Sequence, residues 1–157
     1  MVVSGNIYWK SGKPLSPKTR KAIDTALKSL AADNQLCVHI NGTCMQPLIN
    51  DRARVEITRQ RRYWPGDILV KRDHNGKLVA HRLLGYFPRS GQLYFVTRAD
   101  NAKAADAPVA GGQIIGRISG GMCEKAASVI PFSYRLKALG QFSALVIKRL
   151  SMRAVKR

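Results

Sequence analysis

Four residues in this chain carry side chains that could do chemistry together, and they lie far apart in sequence. Cys44 sits in "GTCMQPLI" (42–49), between Gly42 and Pro47. Glycine permits backbone angles that a side chain forbids and proline fixes the exit, so the thiol is held on a stiff turn. His81 lies inside "KLVAHRLL" (77–84), where strict alternation puts Lys77, Val79, His81 and Leu83 on one face and Leu78, Ala80 and Arg82 on the other. Asp100 and Asp106 occur in "TRADNAKAADAPV" (97–109). Taken singly, each has a plain structural reading. Cys44 suits a packed interior or half of a metal site, His81 a core position bonded to a backbone carbonyl, and either aspartate a turn cap. Taken together, a thiol, an imidazole and a carboxylate are the parts of a nucleophilic site.

The elements that must position them are legible from periodicity. "SPKTRKAIDTALKSLAAD" (16–33) reads as a helix, with Ser16 as cap, Pro17 in the first position, and Ile23, Ala26, Leu27 and Leu30 on one face. Six short runs rich in β-branched or aromatic residues follow: 36–40, 53–57, 67–71, 77–84, 92–97 and 113–118, bounded by "PGD", "HNG", "RSG" and "AGG". Asn75–Gly76 is a strong hairpin signal that pairs 67–72 with 77–84, and His74 beside it reads as a solvated turn residue. The expected fold is mainly β (α+β): a compact antiparallel β domain with an N-terminal helix and a basic C-terminal helical segment. The expected divisions are an arm and helix over 1–34, a β core over 35–122 and a basic amphipathic segment over 123–157.

The chain has 157 residues and a net charge of +18, concentrated in blocks such as "RQRRY" (59–63) and "IKRLSMRAVKR" (147–157). Such a charge favours an anionic partner but says nothing of fold. Segment 131–157 lacks any acidic residue and repeats Phe132, Leu136, Leu139, Phe142, Leu145, Val146 and Leu150 at helical spacing. It either docks on the β core or lies in an anionic membrane interface. The three cysteines, 37, 44 and 123, are odd in number and widely spaced, which speaks against a secreted disulfide framework. Neither an apolar leader region nor about 20 consecutive apolar residues is present, so the expectation is a cytoplasmic chain without a transmembrane segment, at most peripheral to a membrane.

The motifs in order resemble a known family. "GTCMQPLI" resembles the Gly-x-Ser-Met-x-Pro nucleophile box of type I signal peptidases and of the LexA-like self-cleaving repressors that share their β-rich fold. "WPGDILVKRD" resembles their Pro-Gly-Asp-Ile-Val strand. "LVAHRLLG" is similar to the Val-His-Arg-Val box of the archaeal and endoplasmic-reticulum branch, in which His replaces the bacterial Lys. "VTRADNAKAADAPV" resembles that branch's Asp-Asn box with a second Asp downstream, and "QIIGRI" its closing strand. The resemblance covers about residues 35–120. It implies a signal-peptidase/LexA-like fold and endopeptidase cleavage of a leader or precursor peptide through an acyl-enzyme. Cys44 would be the nucleophile, His81 the base and Asp106 the orienting carboxylate, with Asp100 as the competing candidate for that third role. Thr43, Met45 and Pro47 would serve the oxyanion and the substrate, and small side chains would be preferred before the cut.

This sequence departs from the pattern with Cys for Ser, Ala99 for the Gly before the Asp-Asn pair and Ala102 for the second Asn. The resemblance implies no cofactor and no metal. Cys37-x-His39-x₄-Cys44 lacks the tight paired spacing of structural zinc sites, and Cys37 and Cys123 read as small core residues. A peptide or precursor protein is the expected partner. Two alternatives stand beside the enzyme: a non-catalytic peptide-binding relative, and a LexA-like regulator associated with nucleic acid. The second is disfavoured because the helix 16–33 lacks a companion at helix-turn-helix spacing and the aromatics form no stacking platform.

Overall fold

The structure, a computed structural model, describes residues 3–4, 16–34, 36–73, 77–121 and 131–154. Cys123, His74, the Asn75–Gly76 turn, most of the N-terminal arm and residues 155–157 lie outside the described residues.

Helix α1 (Pro17–Ala32) begins where its capping signals place it: the Ser16 Oγ accepts the Thr19 N–H at 3.1 Å, with Pro17 in the first turn. Leu27 and Ala31 are buried, with Ile23 and Leu30 packed against the same apolar cluster. Asp24, on the helix's polar side, receives Arg72 Nε at 2.9 Å on both carboxylate oxygens. One apolar stripe and one ion pair thus fasten α1 to the sheet.

Among the described residues the sheet has eight strands: β1 (Val3–Ser4), β2 (Leu36–His39), β3 (Arg54–Thr58), β4 (Ile68–Arg72), β5 (Leu78–Arg89), β6 (Gln92–Arg98), β7 (Val109–Ala110) and β8 (Ile114–Gly121). Their order is β1-β2-β3-β8-β4-β5-β6-β7. Every pairing is antiparallel except β1 on β2, where Val3 faces Val38 in parallel. All six expected runs are strands. β1 and β7 are additions of two residues each, too short for any periodicity to announce. The β4–β5 hairpin pairs as expected, and its base is closed by Asp73 N–H to the Lys77 carbonyl and Lys77 N–H to the Asp73 carboxylate, both at 2.8 Å.

β4 is buried along its whole length, which is why "ILVKR" shows no alternation. Ile68 and Val70 enter a large core with Val55, Ile57, Ile115 and α1, while Leu69 enters a second cluster with Leu83, Phe95, Val109 and Ile114. Each such side chain contributes about 1.5–3 kcal/mol by leaving water.

Of the two expectations for the C-terminal segment, docking is observed. Helix α2 (Phe132–Ala154) lies on β5, with Ala138 buried beside Leu84 and Val96 and the Phe142 ring over Gly85. A Cβ at Gly85 would fall 2.6 Å from that ring, so glycine is what lets the helix approach. Arg135 donates to the Pro65 carbonyl at 3.2 Å and to the buried Asp67 carboxylate at 3.4 Å, tying the first turns of α2 to the Trp64–Asp67 turn.

Candidate active site

Cys44 stands on the turn between β2 and β3. Gly42, at φ +110°, occupies the left-handed region and gives its N–H to Asp51 at 2.6 Å. Gln46 N–H returns to the Thr43 carbonyl at 3.1 Å and Ile49 N–H to the Met45 carbonyl at 3.0 Å. Met45 and Ile49 are fully buried below, Thr43, Gln46 and Pro47 are exposed above, and Cys44 is half-buried between. Asn101, on the turn after β6, holds the turn from outside: its N–H meets the Cys44 carbonyl at 3.3 Å and its Nδ2 the Thr43 carbonyl at 2.7 Å. Met45 is buried as a whole residue, backbone included, so the structure places it in the core and not at the surface where a substrate-binding residue was expected. Among the described residues no acceptor meets the N–H of Cys44 or Met45.

His81 projects from β5 opposite Leu69 of β4, on the apolar face that alternation indicated. Its Nδ1 lies 2.7 Å from Asp106 Oδ2, and the Cys44 sulfur is near enough to the ring to raise its affinity for a proton. With Nδ1 engaged by the carboxylate, Nε2 is left for the sulfur. Burial alone would pull the imidazolium down. The hydrogen bond to Asp106 and the nearness of Cys44 outweigh it and raise the histidine from 6.5 to about 9.

Asp106 is itself held from three sides. Besides His81 it accepts the Thr97 hydroxyl at 2.5 Å and faces Lys71 Nζ at 3.0 Å. Burial pushes its carboxyl up, but the bonds from His81, Thr97 and Lys71 win and keep it well below the usual carboxylate range. Lys71 is only 2% exposed, so its charge is committed to this carboxylate. A signal for Lys71 was present: the β4–β5 register sets it opposite Val79, one step along the same face from His81. Thr97 and Asn101 lie within the box that carries the resemblance, but spacing alone gave neither a role: Thr97 bonds Asp106 where the loop after β6 folds back, and Asn101 reaches Thr43 on a turn 58 residues away.

Asp100, the competing candidate, does not reach His81. Both its oxygens take the Arg82 guanidinium, at 2.7 and 2.6 Å, and Arg82 also donates to the Gly66 carbonyl at 2.9 Å and lies 4.6 Å from the Tyr134 ring centre. This pair fixes the 99–102 turn to β5 and so places Asn101 under Cys44.

Two concavities border the group. One of about 240 Å³ is lined by Lys71, Val79, His81, Asp106, Pro108 and Gln113. Another of about 130 Å³ lies between Gln46–Pro47 and α2, with Arg82, Arg98, Tyr134 and Lys137 on its walls. Cys37 is half-buried and accepts from Arg54 Nε at 2.9 Å, so it is a surface-strand residue and not the small core residue expected. His39 Nδ1 lies 3.3 Å from the Arg52 carbonyl. Among the described residues no three His, Cys, Asp or Glu side chains are grouped as metal ligands, and none of the described helices is long and apolar enough to cross a membrane. No family model matches the chain, and no curated protein matches it.

Proposed function

We propose that this chain is an endopeptidase of signal-peptidase type, built on a signal-peptidase/LexA-like β fold, that cleaves a leader or precursor peptide through Cys44, His81 and Asp106. The observation that carries the reading is the His81 ring held by Asp106 at 2.7 Å with the Cys44 sulfur nearby. In the proposed reaction the Cys44 sulfur attacks the scissile carbonyl carbon and its proton passes to His81 Nε2. The tetrahedral oxyanion is received by the N–H of Cys44. Collapse breaks the C–N bond, with the His81 proton going to the leaving amine, and a thioester remains. Water, losing a proton to His81, then hydrolyses the thioester. Asp106 fixes the tautomer and steadies the imidazolium throughout.

The substrate edge is read from β2. β1 lies parallel on that edge, with Ser4 opposite His39, so an extended segment is accommodated there running toward the Cys44 turn. A peptide taking the β1 place would arrive at the thiol in strand conformation.

The test is competitive alkylation. Iodoacetamide is expected to label Cys44 faster than Cys37 and Cys123, and His81→Ala to suppress that advantage while near-ultraviolet circular dichroism stays native. Leader-like peptides with small residues before the cut are expected to leave an acyl adduct on Cys44 after acid quench. Equal labelling of the three thiols with no adduct would reduce the chain to a peptide-binding relative.

A further inference from the structure

Helix α2 has two apolar sides, and the fold uses only one. Ala138 and Phe142 are spent on β5 and β6. Phe132, Leu136, Leu139, Val146 and Ile147 are 72%, 54%, 46%, 41% and 66% exposed. At about 100° per residue these five fall within an arc of roughly 100°, about a third of a turn away from the docked side, and extend for about 22 Å along the axis. Scattered exposed hydrophobics are ordinary, but a stripe of this length, interrupted at Ser143, marks an interaction surface.

Charge decides the occupant. The helix sequence 132–154 contains Arg135, Lys137, Lys148, Arg149 and Arg153 and no acidic residue, within a chain of net charge +18. Arg135 is engaged by Pro65 and Asp67, and that grip sets the Trp64 turn beside the first turns of the helix. Trp64 is itself 55% exposed, and Arg59, Arg61 and Arg62 next to it are exposed as well. An indole at an apolar stripe, among cations, matches the chemistry of the headgroup boundary, where aromatic rings and snorkelling basic chains are both favoured. A second copy of the chain would cover the stripe only by bringing +18 against +18. A nucleic acid would satisfy the cations and leave Phe132, Leu136 and Ile147 wet.

We propose that the outer face of α2, with Trp64, docks the protein in the plane of an anionic phospholipid surface, without crossing it. The inference does not depend on the peptidase reading, and its test is made on the Cys44→Ala chain so that catalysis plays no part. The full-length Cys44→Ala protein is mixed with sucrose-loaded vesicles of phosphatidylcholine alone, or of phosphatidylcholine with phosphatidylglycerol, and sedimented at ordinary ionic strength. It is expected to pellet with the anionic vesicles and not the neutral ones, with a blue shift of tryptophan emission. Leu136→Ser, Leu139→Ser and Ile147→Ser combined leave net charge and the docked face untouched. They should weaken binding at least about tenfold by removing buried apolar area. Undiminished binding of that variant, with its helix content intact, would reduce the effect to electrostatic adsorption and overturn the proposal. So would failure of the parent to bind, or dimerisation of the parent that the same substitutions abolish, which would give the stripe to a second copy.

Discussion

Two neighbouring residues of β5 each meet an aspartate from the loop after β6, and the two pairs have opposite characters. Arg82 is 5% exposed and has its guanidinium consumed by Asp100, the Gly66 carbonyl and the Tyr134 ring. His81, one residue earlier and on the other face, takes Asp106 on one nitrogen, leaves the second for the nearby Cys44 sulfur, and stands on the wall of an open concavity. A guanidinium does not release its proton at any ordinary pH, so the first pair holds the loop and nothing more. An imidazole exchanges protons near neutrality, so the second is equipped to move one. Both are cation–carboxylate contacts of similar length; what separates architecture from chemistry is the spare nitrogen and the access to it.

The sharpest way to break this contrast is to delete each base in turn. His81→Ala should cost about 30-fold in the alkylation rate of Cys44 near neutral pH, the step from a thiolate to the few per cent that an ordinary thiol ionises, and leave urea unfolding nearly unchanged above about pH 9, where the histidine's own stabilisation has gone. Arg82→Met should do the reverse: about 3 kcal/mol of stability lost, because Asp100 is left buried without its partner, while folded protein still shows preferential labelling of Cys44. If the two variants lose the same property, the division between the pairs is wrong.

The next effect separates the aspartates. Asp106→Asn removes the carboxylate that holds the His81 proton, and the His81 titration seen by proton NMR should fall from about 9 toward the ordinary 6.5; Asp100→Asn should leave it in place. The stability consequence has a definite sign. A histidine raised on folding adds its full stabilisation below about pH 6.5, and that contribution disappears as pH climbs through about 9. The parent should therefore lose melting temperature across this window, and Asp106→Asn should lose less of it. Asp106 acts in the opposite direction: lowered on folding, it contributes above the usual carboxylate range and fails in acid.

Much of this arrangement is legible in the sequence, and the rest is hidden for identifiable reasons. The helix cap at Ser16, the hairpin pairing 67–72 with 77–84 and the apolar facing of His81 follow from local rules that operate within a few residues. The choice between Asp100 and Asp106 did not. It depends on where a loop without periodicity folds back, and so on Thr97 and Lys71, 9 and 35 residues away from Asp106 in the chain. Cys37 looked like a core residue because its strand is apolar, yet the position is half-buried and Arg54 from β3 reaches its sulfur. The double-sided character of α2 was likewise invisible, because helical spacing alone does not say which of two apolar arcs will find the sheet.

A smaller effect should come from the turn that links the two pairs. Asn101→Ala removes the 2.7 Å bond to the Thr43 carbonyl but keeps the Arg82–Asp100 clamp. It should cost about 1 kcal/mol, the usual net worth of one such bond. Because the turn under Cys44 is loosened, the labelling preference should fall several-fold while the His81 titration stays near its parent value. A shift of that titration instead would mean that the 99–102 turn supports His81 and not Cys44.

The smallest effect is expected at Lys71, and it bears most finely on the comparison. Its ammonium is sealed from water and lies 3.0 Å from Asp106, which already has His81 and Thr97. Lys71→Met keeps the length of the side chain and removes the charge. Replacing a buried cation with an apolar chain is often neutral in stability, because the desolvation cost disappears along with the attraction. Lys71 and the His81 imidazolium compete for the same carboxylate oxygen, so without the lysine Asp106 should bind the imidazolium more tightly. The His81 midpoint should therefore hold or rise slightly, with labelling changed by less than about tenfold. A collapse of labelling as deep as that of His81→Ala would make Lys71, and not the imidazole, the group that draws the proton from the thiol.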